Sequence, residues 1–369
     1  MVNPQPQPAS VPVELMAYAA SYTDVEPEEE EPAGRRRFSV APAWMSVGGV
    51  NYLPYEELQG SGTMPNSNVS AAIGVYFTKD SPLTEEMHKI RKGSDGKWRI
   101  DENPSSGGDH YLYGYVPSDA AESSILPNDT YADGVKLTLT GLSTVSDKDV
   151  CVIVGAKDGT DENTVPGLKT GQFTTYFRTG EDESNFLFLL FDHIYSALSF
   201  HFTLDSDYGR LRTIKLKQLE LIAYSDKFIT KMAKKQTTTI TLEAKDNESP
   251  IVGDITFTPV NPADKMEYVT IFHDESNPVE LPTSGYTEVI GFVPKGSNYY
   301  KMRSTYDVYD KAGNMTRSGC TAENMINFDE IFQTEFLRGH RYIIKLKVKP
   351  TYLYVLSDPD LENPTLEVN

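Results

Sequence analysis

Residues 186–204 read FLFLLFDHIYSALSFHFTL. The run is too long for one strand and is broken by the polar positions His193 to Ser196, so it predicts a strand, a turn or short helix, and a second strand. In the second strand Leu198, Phe200, Phe202 and Leu204 alternate, placing four apolar side chains on one face of an extended chain. The same period of two recurs downstream. RTIKLKQLELIAY carries Ile214 and Leu216 and then Leu219 and Leu221, and TTTITLEA, ITFTPV, EYVTIFH, TEVIGFVP and YYKMRSTYDVYD follow. In RYIIKLKVKP, Ile344, Leu346 and Val348 alternate with Lys345, Lys347 and Lys349. Charged outer positions of that kind keep sheet edges from associating.

Upstream, Ile73, Val75 and Phe77 alternate in SAAIGVYFT, a hairpin surrounds Trp98 and Ile100, and HYLYGYVP, VKLTLTGL and CVIVGAK read as further strands. Strands about ten residues apart, separated by turn residues, point to sandwiches or barrels rather than a parallel α/β sheet. The class expected is all-β, with two sandwiches in tandem across 369 residues. FRTGEDESN at 177–185 is the expected seam, which sets the units at 1–37, 38–182 and 183–369.

Formal charge is −19, from 34 basic and 53 acidic residues. That balance repels phosphate backbones and anionic lipid heads, so nucleic acid is not an expected partner. No stretch has the roughly 20 apolar residues of a membrane helix. The opening MVNPQPQPAS is that expected of an exported protein without its leader. Cys151, in VCVIVG, reads as a small buried hydrophobe, and Cys320 lies in the polar RSGCTAEN, so no disulfide framework is implied.

His88, His110, His193, His201, His273 and His340 are scattered, without zinc spacing or an HExxH pair, and neither a phosphate loop nor GxSxG occurs. Asp192 beside His193 invites an acid–base reading, but adjacent strand residues face opposite ways. No enzyme activity, cofactor or metal is expected. Asp205-Ser206-Asp207 and Asp358-Pro359-Asp360 lack the spacing of a calcium loop and read as turns. Tyr299 and Tyr300 offer a sugar-stacking surface or simply pack.

The first 37 residues stand apart. Val11, Val13, Leu15, Ala17 and Ala19 share one face of an extended segment, and Pro12, Glu14, Met16 and Tyr18 the other. DVEPEEEEPAG follows as a solvated tether and ends at Arg35-Arg36-Arg37, within reach of a trypsin-like protease. Burial of Val11, Val13 and Leu15 is worth about 5 to 8 kcal/mol. Removing the strand would leave an apolar trough and two unpaired edges, which an incoming strand would satisfy by β-augmentation.

Taken in order, the N-terminal strand with its basic stop, IGVY at 73–76, YLYGYVP at 111–117, FDHIYSALSFHF at 191–202, STYDVYD at 304–310 and FLRGHRYIIKLKV at 336–348 resemble a fimbrillin, a subunit of the pili of Bacteroidetes. The resemblance implies a lipoprotein exported to the outer membrane and built from two transthyretin-like β-sandwich domains. It further implies that an arginine-specific protease removes the first strand and that subunits polymerise by strand exchange. The cut would fall at Arg35, Arg36 or Arg37, with Arg37 preferred, and a host surface ligand or glycan would be the adhesive target. The lipid-bearing cysteine of that family is absent from this sequence. The donor strand would be 351–369, through Leu353 and Val355 or Leu366 and Val368; alternatively, that tail is the last strand of the chain's own sheet. The competing function is a glycan-binding surface lipoprotein of a polysaccharide-uptake system.

Overall fold

The computed structural model describes residues 13–27, 45–54, 72–79, 86–95, 97–101, 107–127, 134–161, 167–178, 185–294, 297–333, 336–352 and 359–368. It is all-β, with four sheets. The largest has ten strands. Its path runs β3 (Met45–Val47), β4 (Val50–Pro54), β1 (Val13–Ala20), β13 (Asn185–His193), β11 (Cys151–Gly159), β8 (Gly108–Val116), β5 (Ile73–Thr78), β6 (His88–Lys92) and β7 (Trp98–Ile100), and β12 (Thr174–Phe177) pairs with β8. A four-stranded sheet lies against it, ordered β17 (Thr258–Pro259), β16 (Lys235–Leu242), β10 (Val135–Ser143) and β9 (Glu122–Pro127). Tyr113, Tyr115, Phe188 and Leu190 of the first sheet meet Leu137, Leu139, Ile240 and Leu242 of the second in one core.

The opposite face of the ten-stranded sheet is also covered, because the sheet curls back on itself. Val13, Ala19, Phe77, Trp98, Ile100, Leu187 and Leu189 share a second core. Lys97, beside β7, comes within 3.7 Å of Glu14 on β1. A strand enclosed on both faces must be apolar at consecutive positions. That is why FLFLLF does not alternate: Phe186 to Phe191 are all buried.

The second pair of sheets has five strands each. One contains β2 (Thr23–Val25), β23 (His340–Tyr352), β14 (Ser196–Leu204) and β20 (Thr287–Val293), with β24 (Pro359–Val368) on β23. The other contains β18 (Val269–His273), β15 (Thr213–Tyr224), β21 (Tyr299–Tyr309) and β22 (Met315–Asn327), with β19 (Val279–Glu280) on β15. Two short helices complete the described elements, α1 (Ser206–Leu211) and α2 (Phe328–Ile331). Leu198, Phe200, Phe202, Leu204, Ile344, Leu346 and Val348 all point into the core between these sheets. On β15 the inward set changes phase, from Ile214 and Leu216 to Leu219 and Leu221, at a bulge between Leu216 and Gln218. One extra residue there shifts the side-chain alternation by one.

The division between the sheet pairs does not fall at residue 183. β13 belongs to the first pair and β14 to the second, so the crossing lies in the turn at Ile194 and Tyr195, and residues 235–259 return to the first pair as β16 and β17. β12, which ends at Phe177, and β13, which begins at Asn185, both belong to the first pair. The first segment likewise serves both halves. β1 lies in the first sheet, and β2, two residues later, extends the second.

Candidate functional site at the first segment

β1 is not an edge strand. It runs parallel to β13, from Val13 opposite Asn185 to Ala19 opposite Phe191, and antiparallel to β4 from Tyr18 to Ala20. Val13 and Ala19 are fully buried, and Leu15 and Ala17 pack against the same core. The other face is covered too, which differs from the half-buried strand that the alternation predicts. Tyr18 and Ala20 enter the inter-sheet core and Met16 packs on it. The difference arises because both neighbouring layers reach over the middle of the sheet. Glu14, near the start of the strand, stays exposed.

Among the described strands the β3–β4 hairpin pairs with its sheet through β1 alone. Beyond Ala20 the chain turns a corner, with the Ser21 amide donating to the Asn51 carbonyl at 2.8 Å and the Thr23 amide to the Gly339 carbonyl at 3.0 Å. β2 then pairs parallel with β23 from Thr23 to Val25. Asp24 receives a bidentate bond from Arg341, at 2.7 and 2.8 Å.

Two of the segments that carry the resemblance, FDHIYSALSFHF and FLRGHRYIIKLKV, meet at this corner. Arg338 donates to Asp192 at 2.9 Å and to the His193 carbonyl at 3.2 Å. The Gly339 amide donates to the Tyr195 carbonyl at 2.9 Å, and Ser196 Oγ donates to the Leu337 carbonyl at 2.6 Å. Gly339 has φ of 66°, a left-handed conformation that glycine adopts without strain. An open cleft of about 340 Å³ borders the corner, lined in part by Ala20, Thr23, His193, Asp254, Arg338 and His340.

Beneath the corner lies a fully buried polar cluster. His193 Nδ1 is 2.7 Å from Asp149 Oδ2, and Nε2 is 2.5 Å from the Ala20 carbonyl oxygen. Tyr22 donates its hydroxyl to the same Asp149 oxygen at 2.5 Å and stacks its ring on the imidazole, with centroids 3.9 Å apart. Cys151 Sγ is 3.3 Å from His193 Nδ1. Burial works against a charged His193, but the charge and hydrogen bond of Asp149 outweigh it, so the imidazole pKa is raised. Burial, reinforced by the Asp149 charge, pushes the Cys151 thiol well up.

Two chemical readings of this cluster fail on geometry. Asp149, Cys151 and His193 are the one such group of metal-ligating side chains among the described residues. Nitrogen and oxygen ligands of a tetrahedral zinc ion would stand about 3.3 Å apart. The 2.7 Å between Nδ1 and Oδ2 is instead a hydrogen bond. For a nucleophilic cysteine, His193 would have to take the thiol proton, yet Nδ1 is committed to Asp149, Nε2 faces Ala20, and the thiol is sealed from solvent.

The sequence singled out His193 and set aside Asp192 as its partner. The structure pairs it with Asp149, 44 residues away, just before β11. Asp149 and Tyr22 carried no local signal. Arg35, Arg36 and Arg37, together with Val11, Leu353 and Val355, lie outside the described residues. Leu366 is buried and Val368 packs beside it, on β24 against β23 of the same chain. Asp205 caps α1, accepting from the amides of Asp207 and Tyr208. Asp360 accepts from the Glu362 amide, and Asp358 lies outside the described residues. Tyr300 is in the core and Tyr299 donates to Asp329, so the pair does not form one flat platform.

The fold and site define an all-β protein whose first described strand pairs with β13 and whose chain is then pinned where two pairs of sheets join. No protein-family model matches the chain, and no curated protein matches its sequence. Solved structures it is similar to include candidate cell adhesion proteins and fimbrial proteins of Bacteroidetes. A candidate cell adhesion protein of Bacteroides fragilis is 10% identical, over 98% of this chain and 97% of that one, with a TM-score of 0.42. A fimbrial protein of Bacteroides vulgatus is 13% identical over 80% and 91%, with a TM-score of 0.31. The fimbrial anchor protein Mfa2 of Porphyromonas gingivalis is 9% identical over 96% and 97%, with a TM-score of 0.27.

Proposed function

We propose that the chain is a structural and adhesive subunit of a cell-surface pilus, anchored at the outer membrane before maturation, whose first strand is a placeholder. Cleavage after Arg37 by an arginine-specific protease frees residues 1–37, and the vacated slot takes a strand from a neighbouring subunit. The observation that carries this reading is the position of β1: it pairs along its length with β13 and, from Tyr18 to Ala20, also with β4, and those last three residues are buried in the cores on either face. Loss of β1 exposes an apolar trough and the β13 edge together, and a head-to-tail contact there propagates as a filament.

A slot covered on both sides asks for a donor that is apolar on both sides. Residues 351–356, TYLYVL, meet that demand in sequence, whereas 364–368, PTLEV, sets Leu366 and Val368 against Thr365 and Glu367. Within 351–369 the first stretch is therefore the better donor. The test is limited trypsin treatment, mass spectrometry of the new N-terminus, and sizing with and without a peptide of residues 351–356. Expected are a terminus at Phe38 and peptide capture that requires the cut. Cut protein that loses residues 1–37 and neither captures the peptide nor associates refutes strand exchange.

One observation supports a glycan-binding role: Tyr286 is exposed and stacks flat on His201, with centroids 3.7 Å apart. Saturable oligosaccharide binding, abolished by Tyr286→Ala and indifferent to cleavage, would favour that role.

A further inference from the structure

Both ring nitrogens of His193 face acceptors: the Asp149 carboxylate at 2.7 Å and the Ala20 carbonyl at 2.5 Å. A neutral imidazole carries one N–H, so a single donor cannot serve both. With Asp149 as the carboxylate, serving both acceptors at these distances takes the imidazolium. We propose that His193 is a proton-operated clasp on the first segment, closed when the imidazolium donates to Asp149 and Ala20 together and open when the ring is neutral. The charged acceptor retains the remaining proton, because a bond to a carboxylate is the stronger one. Neutral His193 then keeps Nδ1–H on Asp149 and turns a lone pair toward the Ala20 oxygen. The bond lost is one of those that hold the first segment.

The surroundings favour the closed state. Cys151 on β11 and Asp149 just before it face the ring, Tyr22 of the first segment stacks on it, and Asp192 is its neighbour on β13. Arg338, on the approach to β23, is turned onto the His193 carbonyl and neutralised by Asp192, while Asp254 and His340 line the adjoining cleft. Asp149 is the only one of these groups with a charge-assisted bond to the imidazole, and it raises the ring's pKa above the ordinary histidine value. A raised folded-state pKa means that the attachment is fully present below the ordinary histidine value, about 6.5, and is lost as pH rises through the folded value.

The clasp deepens the placeholder reading, since it controls the same segment, but it can be tested without cleavage. Hydrogen exchange of the uncut full chain is followed at the Ser21 and Thr23 amides from about pH 6 to about pH 9, corrected for intrinsic base catalysis. Loss of one net hydrogen bond predicts about a tenfold fall in protection across a single titration step. His193→Gln should abolish the step and Asp149→Asn should move it to lower pH. A flat wild-type profile, or an unchanged step in His193→Gln, overturns the clasp. Should either variant fail to fold, ¹⁵N resonances of the wild-type ring decide the matter. Both nitrogens protonated near neutral pH support the clasp, and a neutral ring there overturns it. Fragment release from trypsin-cut protein tests the placeholder reading separately: a fragment that never leaves, alongside a pH step in the uncut chain, removes the placeholder and keeps the clasp.

Discussion

Replacing Ala19 with glutamate tests whether β1 is held by its slot. Ala19 is fully buried, paired between Leu53 and Phe191, with its side chain in the core enclosed by the curled sheet. The slot buries Val13, Tyr18, Ala19 and Ala20, worth about 5 to 8 kcal/mol in transfer free energy. An unpaired carboxylate at position 19 costs about 3 to 5 kcal/mol after relaxation. Most of the hold on β1 is then gone, whereas the body beyond the slot keeps its own contacts. Hydrogen exchange with mass spectrometry should show protection across β1 falling by at least about a hundredfold, as local opening loses about 3 kcal/mol or more. The β3–β4 hairpin should follow, because among the described strands β1 is its one link to the rest of the sheet. β15 and β21, in the far sheet, should be unchanged. Protection of β1 and β4 at the wild-type level would refute the reasoning, as would an equal loss at β15 and β21. Glu14→Ala, at an exposed position of the same strand, serves as the control and should change protection little.

Gly114 lies where β8 meets β5, and a Cβ there would come within 2.1 Å of the Gly74 carbonyl oxygen. Gly114→Ala should therefore cost about 1 to 3 kcal/mol, read from the denaturation midpoint, and a neutral result would show that the two strands separate readily. Glu288 is held below the usual carboxylate range: burial opposes this, and the nearby His201, 3.6 Å away, together with the hydroxyl donated by Ser199 outweighs it. A depressed folded value contributes stability above the unfolded carboxylate pKa and loses it as pH falls through the folded value. Glu288→Gln should flatten that acid limb of a stability–pH profile by about 1 to 2 kcal/mol, as expected of a charge-assisted hydrogen bond.

How much was legible depends on the range of the interaction concerned. Alternation at Leu198 to Leu204 and at Ile344 to Val348, and the phase change along β15, are written in neighbouring residues, because a strand's two faces repeat every second position. Those stretches read correctly as strands. The alternation also marked Val11 to Ala19 as a half-buried strand, which is found as β1 over Val13–Ala20. Nothing local, however, states that a strand will be covered twice. Tyr18 and Ala20 read as an outer face until the four-stranded sheet is laid over them.

The sequence by itself determined the all-β class, most of the strands and the singular character of the first segment, all consequences of local periodicity and composition. Tertiary structure alone decided that β1 sits beside β13, that residues 235–259 return to the first pair of sheets, that the seam lies at Ile194 rather than at 183, and that His193 answers to Asp149 rather than to Asp192. The physical reason is that strand order and buried-charge pairing are set by the closure of whole sheets, which joins residues far apart in the chain. A hydrophobic pattern specifies which face turns inward, but it leaves open which neighbour will be met there.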